Sequence, residues 1–164
     1  MSATPQIDNA PLCLQAQLWI VEYLETRESL VRGTARVPVI GRRETNIQND
    51  IDAAIDSLGA CLYVLPLLPL RFNVNLPGPF VDVGELRIRC IENDTLNTTL
   101  PSVYELVEAV VRDLHGLRLQ TLAAFSCLTL ADGSPVERQA DSERLIYDVV
   151  FHTRGAYAAR LELH

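Results

Sequence analysis

Few residues of this 164-residue chain could carry out chemistry, and their spacing favours none of the common reactions. The chain has three histidines, and one acid–histidine pair, Asp148 and His152, lies four residues apart in an apolar segment. On a strand these two side chains would share a face but stand about 13 Å apart, at roughly 3.3 Å per residue. Because general-base catalysis requires hydrogen-bond contact, the two residues cannot act as a direct dyad.

Metal-binding and cofactor-binding patterns are also missing from the sequence. The cysteines lie tens of residues apart without a C-x-x-C pair, so we expect small buried hydrophobic residues, with two disulfides as the alternative: Cys13, Cys61, Cys90 and Cys127. Three aspartates lack the glycine and distal glutamate of a calcium loop: Asp50, Asp52 and Asp56. No glycine-rich phosphate loop or catalytic-serine elbow occurs. We therefore predict a protein that is not an enzyme, with no catalytic, cofactor-binding or metal-binding residues.

The charge of the chain is −7, and all fourteen basic residues are arginine. A surplus of negative charge argues against a general nucleic-acid binder, which must neutralise phosphates. One basic segment stands out, with five arginines against one acid: Arg27, Arg32, Arg36, Arg42 and Arg43 against Glu28. Glycine and proline in this segment predict a loop or extended arm at residues 31–44. The arm is either solvated or docks on an acidic neighbour.

Three amphipathic helices would position these residues. The first is expected at about 11–30, with Leu14, Leu18 and Val21 on its apolar side. The second begins at Thr45 or Asn46 and ends at Gly59. The third begins at Ser102, which forms a capping-box pattern with Glu105, and ends at His115 and Gly116. We expect His115 to interact with the negative end of the helix dipole.

Strands are expected at 61–65, around Leu86–Cys90, and at about 121–130, 145–152 and 156–163. The 86–90 segment alternates apolar and charged residues, so one face, with Glu85, Arg87 and Arg89, is either wet or paired with another subunit. The element order predicts an α+β fold in which an antiparallel or mixed sheet of about four to five strands carries helices on one face.

The composition predicts a single domain at residues 11–164 after a flexible N-terminal tail at 1–10. No apolar run approaches the length of a membrane span. The first ten residues lack the basic start and apolar run of a signal peptide, so we expect the protein to stay in the cytoplasm in which it is made.

Several segments together resemble a known family. They are the helix at 49–58, the strand Gly84-Glu85-Leu86-Arg87-Ile88-Arg89-Cys90-Ile91-Glu92, the segment Leu100-Pro101-Ser102-Val103-Tyr104-Glu105-Leu106 with its helix closing on Leu114-His115-Gly116-Leu117, and the strand Arg144–Phe151. This layout, over about residues 45–155, is similar to the tail-terminator or tail-completion proteins of tailed bacteriophages, including the Mu-like group. Residues 1–43 carry no part of the resemblance.

The resemblance implies a virion subunit that forms a ring, usually hexameric, between the tail tube and the neck or connector proteins, with DNA passing through the lumen without specific binding. It implies no cofactor and no membrane. Together with the charge pattern it predicts subunit-interface residues: Arg32, Arg36, Arg42, Arg43, Arg87 and Arg89. The alternative is a non-viral cytosolic adaptor that recruits a partner through the strand face of Glu85, Arg87 and Arg89.

Overall fold

The structure, a computed structural model, describes residues 11–41, 46–73, 80–120, 123–138 and 143–157. Within these ranges the chain forms three α-helices, one 3₁₀ turn and eleven short or long strands, so the predicted α+β class is confirmed. The predicted N-terminal tail, Arg42 and Arg43, and most of the predicted strand at 156–163 lie outside the described residues.

The first helix, α1 (Leu12–Glu25), is shorter than predicted and a 3₁₀ turn (Glu28–Leu30) follows it. Its buried stripe contains Leu12, Ala16 and Ile20 rather than Leu14 and Leu18, which are only half-buried. The apolar periodicity of the sequence does not identify the buried side of α1 fully, because the polar residue Gln17 is buried as well. The side-chain nitrogen of Gln17 donates a 2.8 Å hydrogen bond to the carbonyl oxygen of Val64 inside the core, whereas its Oε1 is buried without a hydrogen-bond partner among the described residues.

The other two helices begin and end as predicted. In α2 (Ile47–Leu58) the Asn46 side chain accepts a hydrogen bond from the Asn49 backbone, and Gly59 ends the helix with a left-handed φ of 86°. In α3 (Val103–Leu114) the predicted capping box of Ser102 and Glu105 is present, and each side chain bonds the other residue's backbone N–H. These local hydrogen bonds satisfy backbone groups that a helix start otherwise leaves unpaired.

The strands are β1 (Val31–Arg32), β2 (Ala35–Arg36), β3 (Val39–Ile40), β4 (Ala60–Val64), β5 (Leu68–Phe72), β6 (Phe80–Glu92), β7 (Arg118–Gln120), β8 (Ala123–Cys127), β9 (Thr129–Leu130), β10 (Val136–Arg138) and β11 (Leu145–Tyr157). The first two form a hairpin of their own, and the other nine form one mixed, strongly curled sheet. The prediction of four to five strands is therefore wrong. A further strand, β10, lies in the polar segment after residue 134, and the predicted strand at 121–130 divides into β8 and β9.

Two 13-residue antiparallel strands, β6 and β11, form the centre of the sheet. They pair from Leu145 opposite Glu92 to Ala156 opposite Phe80, so β11 continues past the predicted end at residue 152 and includes the first two residues of the strand predicted at 156–163. The far edge of β6 pairs with β4 and β5, and β3 runs parallel to β4. The far edge of β11 pairs with β10, β9 and β8 in turn, and β7 lies outside β8.

Helices pack on both faces of this sheet, contrary to the predicted single face. Successive strand residues point to opposite faces, and the core divides accordingly. The inner face, with Leu62 and Ile88, packs against α1 and α3 in the larger cluster, whereas α2 packs on the outer face against Cys61, Ile91 and Ile146. A continuous apolar run such as the one in β4 is typical of a strand that is covered on both sides.

His115 forms a contact that the sequence did not indicate, and two cysteines differ from expectation. His115 caps α3, but its Nδ1 accepts a hydrogen bond of 3.1 Å from the backbone N–H of Leu130, which joins the helix end to β9. Cys127 is exposed and Cys13 only half-buried rather than buried, although Cys61 and Cys90 are buried as expected. All four cysteines are unpaired thiols, so the disulfide alternative is excluded.

Candidate functional site: a charged sheet face and an exposed edge strand

The outer face of the sheet is only partly covered by α2, whose contacts end near Ile91 and Ile146. Farther along the central strands, the outward-facing residues are Arg89, Arg87 and Glu85 on β6 and Asp148, Val150 and His152 on β11, in register with one another. We call this part the open face. It combines five ionisable side chains with one valine, so charged and polar groups rather than apolar groups dominate this surface.

Three arginines from two strands converge on the Asp148 carboxylate at one end of the open face. Arg87 and Arg89 each donate a hydrogen bond of 2.9 Å, and Arg138 on β10 donates one of 3.3 Å. The Asp148 side chain is 0% exposed, whereas the arginine side chains retain between 20% and 45%. The carboxylate is therefore fully enclosed by its own cationic partners. We call these four residues the arginine cluster.

Two opposing effects act on the pKa of Asp148. Burial by itself raises the pKa, but the hydrogen bonds from Arg89 and Arg87 and the nearby positive charges outweigh it, so the pKa lies below its ordinary value. Glu85 also pairs with Arg87, at 3.4 Å. Among the residues that the structure describes, three guanidinium groups thus face two carboxylates, which leaves one excess positive charge. The cluster ties β6, β11 and β10 together and gives an acidic protein a locally basic surface.

A second ion-pair group lies at the other end of the central strands. Asp82 accepts from Arg71 on β5 and from Arg154 on β11, at 2.8 and 3.0 Å. These residues line an open cleft of about 490 Å³ that also contains Cys127 and His152. Within the described residues, no hydrogen bond joins this thiol to this imidazole.

The strand β5 borders this cleft and is the most apolar exposed part of the described surface. Leu68, Leu70 and Phe72 are 54%, 52% and 55% exposed. Among the described strands β5 pairs with β6 alone, so its second edge has no strand beside it. Monomeric proteins usually cover a sheet edge that carries exposed apolar side chains, and an uncovered one often marks an interaction site. This strand is therefore a candidate contact surface.

The predicted interface arginines fall in two separate places. Arg32 lies in the β1–β2 hairpin and forms an ion pair with Glu105 at the start of α3, and Arg36 donates to the backbone carbonyl of Arg27 at 2.8 Å. Arg87 and Arg89 belong to the arginine cluster, on the outer face of the sheet. Arg42 and Arg43 lie outside the described residues. The structure therefore gives Arg32, Arg36, Arg87 and Arg89 partners within the chain.

Sequence reasoning did not find the centre of the cluster. Asp148 was considered only with His152, although a charged residue inside the apolar run Leu145–Phe151 requires a buried partner. The alternating arginines of β6 were visible, and pairing β6 with β11 would have placed Asp148 opposite Arg89. Arg138 could not be found in this way, because the segment that contains β10 has no strand pattern in the sequence.

Other kinds of site are not indicated by the described residues. No group of three histidine, cysteine or acidic side chains among them could hold a metal ion. None of the helices in the described ranges is long and apolar enough to cross a membrane. The chain matches no protein-family model and no curated protein sequence.

Proposed function

We propose that this chain is a structural subunit of a tailed-phage virion that assembles into a ring at the junction of tail and neck, ends the tail tube and joins it to the head-proximal connector. The observation that carries the proposal is the exposed strand β5, with three large apolar side chains more than half exposed. Burying such a surface against another subunit is favourable by roughly 25 cal/mol per Å² of apolar area. The sequence resemblance over residues 45–155 supplies the class of assembly.

A ring requires a heterologous contact, in which two different surfaces of the same chain meet and the rotation between copies closes. The chain offers surfaces of unlike charge for this purpose, since the arginine cluster carries excess positive charge on a chain of net charge −7. An acidic lumen would repel the DNA phosphates and let the DNA pass without specific binding. The partners of the ring would be the tail tube and the connector.

In this proposal the arginine-rich arm at residues 31–44 contacts an adjacent subunit. Arg32 and its partner Glu105 are both about half exposed, and exposed ion pairs contribute only about 0–1 kcal/mol. Arg32 can therefore exchange its partner for an acid of an adjacent subunit at small cost. We expect charge reversal at Arg42 and Arg43 to weaken assembly, as measured by light scattering. Unchanged assembly of that double variant would contradict an interface role for the arm.

The proposal is tested by the mass of the protein in solution, measured by light scattering after size exclusion, with negative-stain images of the same peak. Six copies of the 18.2 kDa chain would give about 109 kDa. Rings, or monomers that form rings when concentrated or mixed with tail tubes, would support the proposal. A strict monomer or dimer that never adds to tubes would contradict it. In that case the excess positive charge of the arginine cluster favours the alternative, a cytosolic adaptor that binds an acidic partner protein.

A further inference from the structure

The exposed strand β5 and the open face form one continuous surface. Leu68 on β5 lies opposite Glu85 on β6, and opposite residues of paired strands point to the same side of a sheet. Glu85 in turn pairs with Arg87 of the arginine cluster at 3.4 Å. A subunit that covers the apolar side chains of β5 therefore also meets the open face, and its contact surface must suit the arginines there.

Two arginines of the open face stand close together at a fixed spacing. Arg87 and Arg138 both donate to the same oxygen of Asp148, Oδ2, at 2.9 and 3.3 Å. Their donating nitrogens can therefore be no farther apart than the two bonds laid end to end, roughly 6 Å. The side chain of Arg138 is 45% exposed, and among the described residues it uses one of the five N–H donors of a guanidinium group. This arginine pair can receive two carboxylates at a similar spacing.

The helix α2 carries two carboxylates at that spacing. Gln48, Asp52 and Asp56 recur every fourth residue on one side of the helix, where the Cβ atoms of such neighbours lie about 5–6 Å apart. Asp56 is exposed and forms no ion pair among the described residues. The side chain of Asp52 is 45% exposed, and within the described chain its Oδ1 alone accepts hydrogen bonds, from Arg144 and Gln48. We call this side of α2 the acidic stripe.

Within one chain the acidic stripe and the arginine pair stay apart. The apolar side of α2, with Ile51 and Ile55, packs against the sheet, so the acidic stripe faces away from that contact. No hydrogen bond or ion pair joins either aspartate of the stripe to Arg87 or Arg138, and all four residues lie in the described part of the chain. A second copy can bring the two surfaces together, and opposite charges then meet.

We infer that α2 of one subunit lies on the open face of the next, with Asp52 and Asp56 against Arg87 and Arg138. This inference rests on the proposed ring assembly and names its contact. The helix then lies between two sheets, its own against its apolar side and the neighbour's against its acidic stripe. Arginine and carboxylate groups that meet in this way form charge-assisted, often bidentate hydrogen bonds. Two different surfaces meet, so the contact is heterologous and repeats from copy to copy until the ring closes.

Reversing one charge at a time tests this contact. Asp56→Arg places a cation against the arginine pair, and Arg138→Glu places an anion against the acidic stripe. Each single variant should raise the protein concentration at which half of the subunits are assembled by about tenfold or more, because close charge pairs at an interface contribute at least this much to binding. Light scattering after size exclusion, over a series of concentrations, measures this midpoint.

The double variant, Asp56→Arg with Arg138→Glu, restores opposite charges between copies. Because the two residues do not touch within one chain, recovery can come only from a contact between subunits. The double variant should therefore assemble at a concentration near that of the wild type.

Matched controls carry the same changes of charge outside the contact. They are Asp132→Arg, in the turn before β10, and Arg112→Glu, on α3 at the other face of the sheet. Val136→Ser is a third control, because it removes an exposed apolar group of β10 and no charge. All three should form rings like the wild type. Circular dichroism and a thermal unfolding curve establish that each variant is folded, and Asp56→Arg tests the contact without changing the arginine cluster.

Other outcomes separate this inference from the proposed function. If the wild type forms rings and folded Asp56→Arg assembles like the controls, the contact is wrong while the proposed ring remains. If both single variants weaken assembly but the double variant does not recover, the two surfaces do not meet and the inference is wrong. If the wild type forms only dimers that follow the same pattern, the contact is correct but reciprocal, and the proposed ring is wrong. A wild type that stays monomeric at every concentration and never adds to tail tubes overturns both.

Discussion

Replacing Asp148 by asparagine tests whether the arginine cluster holds the central strands together. The substitution preserves size but removes the negative charge that Arg87, Arg89 and Arg138 share, and it turns one acceptor oxygen into an N–H donor that faces them. Breaking a buried ion pair by removing one partner costs about 3–5 kcal/mol. The three arginines retain 20–45% exposure and can take up water, so we expect the lower end, about 3 kcal/mol.

The pH dependence gives a second, independent measure of the same interaction. The pKa of Asp148 is lowered in the folded protein. Such a group stabilises the fold fully above its unfolded pKa, which is about 3.9 for aspartate, and the stabilisation is lost as the pH falls through the folded pKa. The wild-type protein should therefore lose stability as the pH falls below about 4, and Asp148→Asn should lack this component of the slope.

Urea unfolding followed by circular dichroism measures both effects, at pH 7 and across the acid range. The control is Asp132→Asn, which neutralises an exposed aspartate in the turn before β10 and should change the free energy of unfolding by less than about 0.5 kcal/mol. If Asp148→Asn cost no more than this control and retained the wild-type acid slope, the assignment of a stabilising role to the cluster would be refuted.

Two further predictions concern the backbone and the thiols. Gly59→Ala should destabilise the protein by more than about 2 kcal/mol, because it adds both the strain of a left-handed φ of +86° and a collision with the turn after β6. Gly116 has a similar φ of +83° but open space around it. Gly116→Ala should therefore cost only the backbone strain, about 1–2 kcal/mol. Urea unfolding of the pair distinguishes these effects, and equal costs would contradict the packing argument. In the native protein a thiol reagent should modify exposed Cys127 rapidly but not Cys61 or Cys90, whose burial raises their pKa, to about 12 for Cys61. Rapid labelling of either buried cysteine, detected by mass spectrometry of peptides, would contradict their placement.

Local sequence signals predicted the parts of the fold that local hydrogen bonds determine. The caps of α2 and α3 follow from Asn46, Gly59, Ser102 and Glu105, because each of these residues acts on backbone groups within a few positions. The strand alternation around Leu86–Cys90 was equally visible, since one face of β6 is apolar and the other charged.

The features that were missed depend on contacts between distant segments. The short strands β9 and β10 exist because they pair with β11, and their own residues carry no alternation long enough to detect. The placement of α2 on the outer face depends on which side of β4 it meets, which periodicity alone does not determine. The buried side of α1 includes Val21 as predicted but also Gln17, which the sequence did not indicate because its partner Val64 lies 47 residues away.

The arginine cluster was likewise predictable only in its local part. Sequence alone placed Arg87 and Arg89 on one charged strand face, but their common partner comes from β11, about 60 residues farther along the chain. Long-range ion pairs of this kind become visible only when the strand order is known. The prolines after the strand predicted at 61–65, Pro66 and Pro69, favour a sheet edge or an extended polyproline-like chain, whereas the exposure of Leu68, Leu70 and Phe72 follows from the absence of a neighbouring strand among the described residues.

The central claim, that this chain is a ring-forming subunit that ends a tail tube, is tested most directly by incubating purified protein with tail tubes and imaging them by negative-stain electron microscopy. The account predicts ring-shaped density at one end of each tube for the wild-type protein and for a control variant, Val136→Ser, which changes an exposed apolar residue on β10. It predicts bare tube ends for a Leu70→Ser, Phe72→Ser double variant, which removes exposed apolar groups of β5. Tubes that remain bare with folded wild-type protein, at concentrations where the protein also stays monomeric in solution, would contradict the claim.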